Sequence, residues 1–190
     1  MEVNNKAAEA AIFALLLAMK INPKNHADIE ATPKRVVKML QEVWEGEYHT
    51  NKEIAEMFGK SFPTKSRGMV VVKDIPAFSY CEHHLALMYN MHIDVGYIPH
   101  GKVIGLSKVA RIVDMCCKRL QLQEKIGYDI CDVMKMVVGN DVIVRVRAEH
   151  SCVTARGIKK AGSKTVTLET SGVFENTEYQ EKFLTLINNR

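Results

Sequence analysis

Val142-Ile143-Val144-Arg145-Val146-Arg147-Ala148-Glu149-His150-Ser151-Cys152 sets Val142, Val144, Val146 and Ala148 in alternation with Ile143, Arg145, Arg147 and Glu149, and then ends in a histidine and a cysteine. Alternation of period two marks a strand with one buried face. Side chains two apart share that face, so His150 and Cys152 are expected to continue the line of Val142, Val144, Val146 and Ala148. The buried side of this strand turns from apolar to metal-liganding at its end. Lys164 to Leu168 is rich in β-formers and reads as its partner. Upstream, Leu87, Tyr89, Met91, Ile93, Val95 and Tyr97 alternate in the same way, and Met69 to Val72 is an apolar run suited to a strand. Two helical patterns lie between these strands. The first is expected to be capped by Ser107, with Val109, Ile112, Val113, Cys116 and Leu120 as one stripe. The second carries Ile126, Ile130, Val133, Met134 and Val137 and stops at Gly139-Asn140. A last helix is expected around Thr177 to Ile187. Strand, strand, helix, helix, strand, strand, helix is the order of an α+β domain with an antiparallel sheet.

The first third reads as helical. Thr32-Pro33 suits a cap and first turn, because Pro has no N–H to lose there. Val36, Val37, Leu40, Val43 and Trp44 follow at helical spacing, with Gly46 as a stop. The Ala/Leu-rich run from Ala7 to Met19 is too short to span a bilayer and is interrupted by Glu9, so it reads as a buried helix. The polar stretch Lys60 to Gly68 reads as a linker, which sets residues 1–66 as a helical extension and 67–190 as the main domain. Lys24, Asn25, Lys65 and Asn188-Asn189-Arg190 read as solvated surface. The chain has 190 residues, 47% of them hydrophobic and 25% charged, an ordinary globular composition. A net charge of +4, without interleaved aromatic and basic residues, argues against nucleic acid as a partner. Five cysteines without framework spacing point to a reducing, cytoplasmic setting.

Cys81-Glu82-His83-His84 and His150-Ser151-Cys152 together hold the makings of a three-ligand metal site, with histidines left over for acid–base work. Three protein ligands and one open position are how zinc is held when it must activate water. A closed structural site would need a fourth ligand, and no CxxC or HxxxH is available to supply one. Either segment alone has a bland explanation, since a buried Cys is usually a small hydrophobe; the two in one chain favour function. Gly105-Leu106-Ser107-Lys108 with Arg111 suggests an anion site at a helix start, where Lys108 and Arg111 share one side of the turn. Arg35 and Lys38 repeat that spacing, and Arg156-Gly157 adds a guanidinium near the proposed metal. Glu124, beside Gln123, opens the second helix. A carboxylate there usually offsets the helix dipole, but it could instead recognise a base edge carrying adjacent N–H donors.

These motifs, with Gln121-Leu122-Gln123-Glu124, Ala148-Glu149-His150-Ser151-Cys152 and the upstream Thr32-Pro33-Lys34-Arg35-Val36, resemble the GTP cyclohydrolase I family, in order from about Ile29 to the C-terminus. The resemblance implies the tunnelling fold, with an antiparallel ββααββ core and a helical N-terminal extension, assembled as a homo-oligomer, a decamer of two stacked rings with active sites at subunit interfaces. It implies Zn2+ bound by Cys81, His84 and Cys152, with His83 and His150 unliganded beside the substrate. It implies Glu124, with Gln123, as the guanine anchor. Ser107, Lys108, Arg111 and Arg156 would cradle the triphosphate, with Arg35, Lys38 and Lys73 as secondary candidates; Lys73 stands where Arg is common, which weakens bidentate phosphate binding there. The implied reaction is hydrolytic attack on C8 of GTP, with His150 or His83 moving protons as the imidazole ring opens. A second hydrolysis releases formate, and rearrangement of the ribose gives 7,8-dihydroneopterin triphosphate. The competing readings are another tunnelling-fold enzyme acting on a pterin or deazaguanine, separated by NADPH dependence, and a non-catalytic zinc-stabilised ring.

Overall fold

The alternating segments Ala86–Tyr97 and Val142–His150 form the centre of a sheet. The computed structural model describes residues 3–25 and 27–189; Arg190, read above as surface, lies outside the described residues. β1 is Ser61–Pro63, β2 Val70–Cys81, β3 Ala86–Tyr97, β4 Lys102–Ile104, β5 Leu120–Gln121, β6 Val142–His150 and β7 Lys164–Ser171. The helices are α1 Asn5–Ala18, α2 Thr32–Val43, α3 Asn51–Phe58, α4 Leu106–Cys117, α5 Gln123–Val138, α6 Ser151–Thr154 and α7 Thr177–Asn188. The main sheet has the order β5-β2-β3-β6-β7. All its pairings are antiparallel except that of the two-residue β5, which runs parallel to β2. The ββααββ order expected from the alternation is thus the observed one, and the architecture is the tunnelling fold.

α4 and α5 cover one face of the sheet. Met91, Ile93, Val95 and Tyr97 of β3 meet Val142, Val144, Val146 and Ala148 of β6 beneath Val109, Ile112, Val113, Ile126, Ile130 and Met134. α5 stops at Gly139, whose φ of 109° is a conformation that L side chains rarely adopt. α7 seals one end of the opposite face, where Ile143, Phe174, Phe183 and Ile187 form a second apolar cluster. The rest of that face mixes charged groups of β3 and β6 with the exposed Val166 and Leu168 of β7. Asp94, fully buried, accepts from Arg145 Nε at 2.9 Å and from the Asp74 N–H at 2.9 Å.

Several sequence expectations shift. β2 runs on to Cys81, well past Val72; register shifts between Val72 and Ile75 and between Ala77 and Ser79 break its alternation. In β3 a register shift against β6 between Tyr89 and His92 coincides with Asn90 at φ 46°. It brings Met88 into the core in place of the expected Leu87 and Tyr89. Ser107 and Thr32 are not caps: Gly105 and Ala31 hold those positions without side-chain hydrogen bonds. Leu120 leaves the helical stripe for β5. The stretch read as a linker contains β1, which pairs with β4, and Ile54 of α3 is fully buried in the main core. α1 packs on α2 yet buries no residue, leaving Leu15 58% and Met19 67% exposed. It is therefore not the buried helix expected.

Gly46 lies beyond the end of α2, not at it, and its role is close approach. Its N–H donates to the Lys118 carbonyl at 2.9 Å, and a Cβ there would collide with the main-chain carbonyls of Met115 and Lys118. Gly46→Ala is expected to cost about 1–3 kcal/mol, because backbone has to move. A denaturant melt checks this; an unchanged midpoint would show that the extension is not seated this tightly.

Candidate active site

The β2–β3 hairpin and the end of β6 meet at one rim of the sheet. Cys81 closes β2, and Glu82 to Leu85 turn back into β3, with the His84 N–H to Cys81 carbonyl distance at 3.4 Å and Leu85 at φ 51°. Because Met88 pairs with His150, the residues just past β6 fall beside this turn. Cys152 does not continue the strand as expected; it lies in the single turn of α6. That turn is held by Thr154 Oγ1, which donates to the His150 carbonyl at 3.1 Å and lies 2.9 Å from the Tyr89 hydroxyl. Sequence reasoning missed Tyr89 and Thr154, whose contact spans sixty-five positions and leaves no local pattern.

The outcome is a cluster in which donor atoms of Cys81, His84 and Cys152 all lie within 4.8 Å of one another. Tetrahedral zinc with ordinary Zn–S and Zn–N bonds would space such donors about 3.6–3.8 Å apart, so a small contraction seats the ion. Burial, followed by the neighbouring Cys81 sulfur, pushes the Cys152 thiol above its ordinary value, while Arg156 acts against this. Two adjacent thiolates need a cation between them, and the donor set fits zinc. The other cysteines are different: burial pushes Cys116 up to about 12, Cys131 up to about 11 and Cys117 well above its usual value. They are buried packing groups.

His83 is exposed beside the cluster, its ring edge-on to His84 at 6.3 Å between centroids. His150 is half-buried, and its Nε2 lies 2.8 Å from Gln123 Oε1. Burial pulls the imidazole below its ordinary value, against the opposing effect of the Glu124 carboxylate. Glu124 sits in the first turn of α5 and lines a cleft of about 210 Å³ with Gly127, Thr167, Leu168 and Glu169 of the edge strand β7. Gln123, expected to face substrate with Glu124, is instead 1% exposed and points into the fold.

The expected phosphate-binding cations do not all converge within one chain. Arg156 is exposed just past the cluster. Ser107, Lys108 and Arg111 occupy the first half of α4, whose opposite end adjoins Cys81 through β5. The twelve residues of α4 span about 18 Å. Lys73 lies eight residues up β2 from Cys81, roughly 26 Å along an extended strand, and donates to the Asn189 carbonyl at 2.8 Å. Arg35 and Lys38 are exposed on α2. Among the described residues no helix is long and apolar enough to cross a membrane.

A tunnelling fold carrying a Cys–His–Cys group able to hold a metal ion, beside two further imidazoles and a carboxylate cleft, has the make-up of a metal-site enzyme. Residues 8–188 match the family model of GTP cyclohydrolase I, and the chain belongs to the GTP cyclohydrolase I family. It is 49% identical over 185 residues to the GTP cyclohydrolase 1 of Clostridium botulinum (strain Loch Maree / Type A3), covering 94% of this chain and 93% of that one. It is 47% identical over 184 residues to the GTP cyclohydrolase 1 of Clostridium acetobutylicum, covering 94% of each. Among solved structures, the apo form of an archaeosine synthase QueF-Like is similar over 57% of this chain and 97% of that chain, with a TM-score of 0.47 and 24% identity.

Proposed function

We propose that the chain is a zinc-dependent hydrolase that opens the imidazole ring of GTP, releases C8 as formate and forms 7,8-dihydroneopterin triphosphate. The observation that carries this is the meeting, at one sheet rim, of Cys81, His84 and Cys152 with His150 and Glu124. Zinc held by those three side chains would supply Lewis-acid activation of water. The chain's own residues do the rest. Glu124 accepts the ring N–H and amino N–H of guanine, and adenine would set a lone pair against it. His150 and His83 hold and move protons as the ring opens. Ser107, Lys108, Arg111 and Arg156, with Arg35, Lys38 and Lys73, bind the triphosphate.

Since the α4 cations and the metal group adjoin opposite ends of that helix, a complete site in this reading draws on two copies. A homo-oligomer, taken to be the decamer, is supported by the open edge of β7, with Val166 and Leu168 exposed, and by the uncovered Leu15 and Leu17 of α1 and Met19 that follows it. Five free cysteines fit a reducing cytoplasm.

Glu124→Ala is expected to lower GTP turnover by up to about 10⁴-fold, the discrimination available to a site built to hydrogen-bond its substrate, with zinc content unchanged. Formate release and oxidisable pterin fluorescence are followed with GTP and, as control, ATP. Loss of zinc in the variant, or equal turnover of ATP by the unaltered protein, would overturn the assignment of Glu124 as the base reader.

A further inference from the structure

We propose that Gln123 is a positioning residue that fixes neutral His150 as the tautomer protonated on Nε2, which leaves the lone pair on Nδ1. Gln123 is the first residue of α5 and is almost wholly buried between that helix and the sheet. Its Nε2 lies 3.1 Å from the Val146 carbonyl, 3.2 Å from the Thr165 carbonyl and 3.4 Å from Thr167 Oγ1. Main-chain carbonyls only accept, so the amide NH₂ must face them. The reversed amide would set Oε1 against two carbonyl oxygens with no proton between them, an unpaired buried arrangement costing the desolvation of each group.

The orientation of Gln123 is therefore set by β6 and β7, and the atom left facing His150 Nε2 at 2.8 Å is Oε1. An amide oxygen cannot donate. The proton of that hydrogen bond belongs to His150, and in a neutral imidazole the second nitrogen is then bare. Nδ1 has no hydrogen-bond partner among the described residues, so it is the nitrogen available to substrate. The chain Val146 and Thr165 carbonyls, Gln123 amide, His150 ring fastens the imidazole to the rigid centre of the sheet. Outer groups of this kind orient and fix the tautomer of functional histidines.

The functional half of this inference rests on His150 as a proton-moving group; the tautomer itself does not. Magic-angle-spinning ¹⁵N NMR of zinc-loaded protein labelled at histidine, with His150→Gln to assign the signal, reads the tautomer directly. The expected spectrum has a protonated Nε2 and a bare Nδ1 for His150. Gln123→Met, similar in shape but without an acceptor, is expected to mix the tautomers. It should lower kcat roughly 10–100-fold with KM held within about twofold and zinc content unchanged. Gln123→Glu, whose protonated carboxyl can both donate to a carbonyl and accept from Nε2, is expected to keep the tautomer. A proton on Nδ1 in the unaltered protein, or an unchanged tautomer in Gln123→Met, overturns the proposal. Absence of GTP turnover in the unaltered protein would sink the hydrolase reading while the spectrum still decides the role of Gln123.

Discussion

Cys152→Ala is expected to lose the metal and to lower GTP turnover by about 10³-fold or more, while the fold survives. Cys152 is one of only three donors in the cluster, so its removal leaves two ligands, too few to retain zinc in competition with water. Lewis-acid stabilisation of developing charge contributes several kcal/mol to such reactions, and each 1.36 kcal/mol is tenfold in rate. The structural cost is small because Cys152 sits half-exposed in the one-turn α6, which Thr154 and Tyr89 hold independently. Metal analysis beside a thermal melt separates the two effects. A variant that retained zinc and turned over GTP at the original rate would remove Cys152 from the site.

The largest effect on stability is expected from Arg119, which links the N-terminal segments to the core. Its side chain donates to the Gly46 carbonyl at 3.1 Å, to the His49 carbonyl at 2.7 Å and to Asn51 Oδ1 at 2.8 Å, and pairs with Asp129 at 2.5 Å. Both charged groups are buried. Asn51 in turn donates to Asp129 and Asp132 at 3.2 and 3.0 Å. Arg119→Met strips these acceptors of their donor and leaves a buried carboxylate with only the exposed Lys125 as counter-charge. Breaking a buried pair from one side costs about 3–5 kcal/mol, or roughly 10 °C in Tm for a chain of this size. The double variant Arg119→Met with Asp129→Leu should recover part of the loss, because no unpaired charge remains. A Tm within about 2 °C of the original for the single variant would show that the network contributes nothing net.

What the sequence revealed and what it hid follow from how each feature is encoded. The β6 strand was legible because Val144, Arg145, Val146, Arg147 and Ala148 alternate strictly, and the apolar Ile143 before them is explained by the second cluster on the other face. The stripe of α5 was legible because every third or fourth residue from Ile126 to Val137 is apolar and buried. β2 was not, beyond its first residues, since Asp74 at φ 55° and the shift before Ser79 break its period. The same cause reversed Leu87 and Met88, as one residue out of register swaps faces. The grouping of Cys81, His84 and Cys152 was legible from side-chain chemistry, which survives without any knowledge of the path between them. The inward turn of Gln123 was not, because an amide beside a carboxylate looks identical in sequence whether it faces solvent or two buried carbonyls. The exposure of α1 reflects what covers it, and nothing in Ala7 to Met19 says whether that cover is this chain or another.

Zinc content and GTP-dependent formate release, measured on one preparation before chelation, after it and after zinc is restored, test the central claim most directly. About one zinc per chain is expected, as a single three-ligand site requires, with formate release lost on chelation and recovered on restoration. Undiminished formate release from metal-free protein, or bound zinc that leaves Cys81 and Cys152 as open to alkylation as in the metal-free chain, would contradict it.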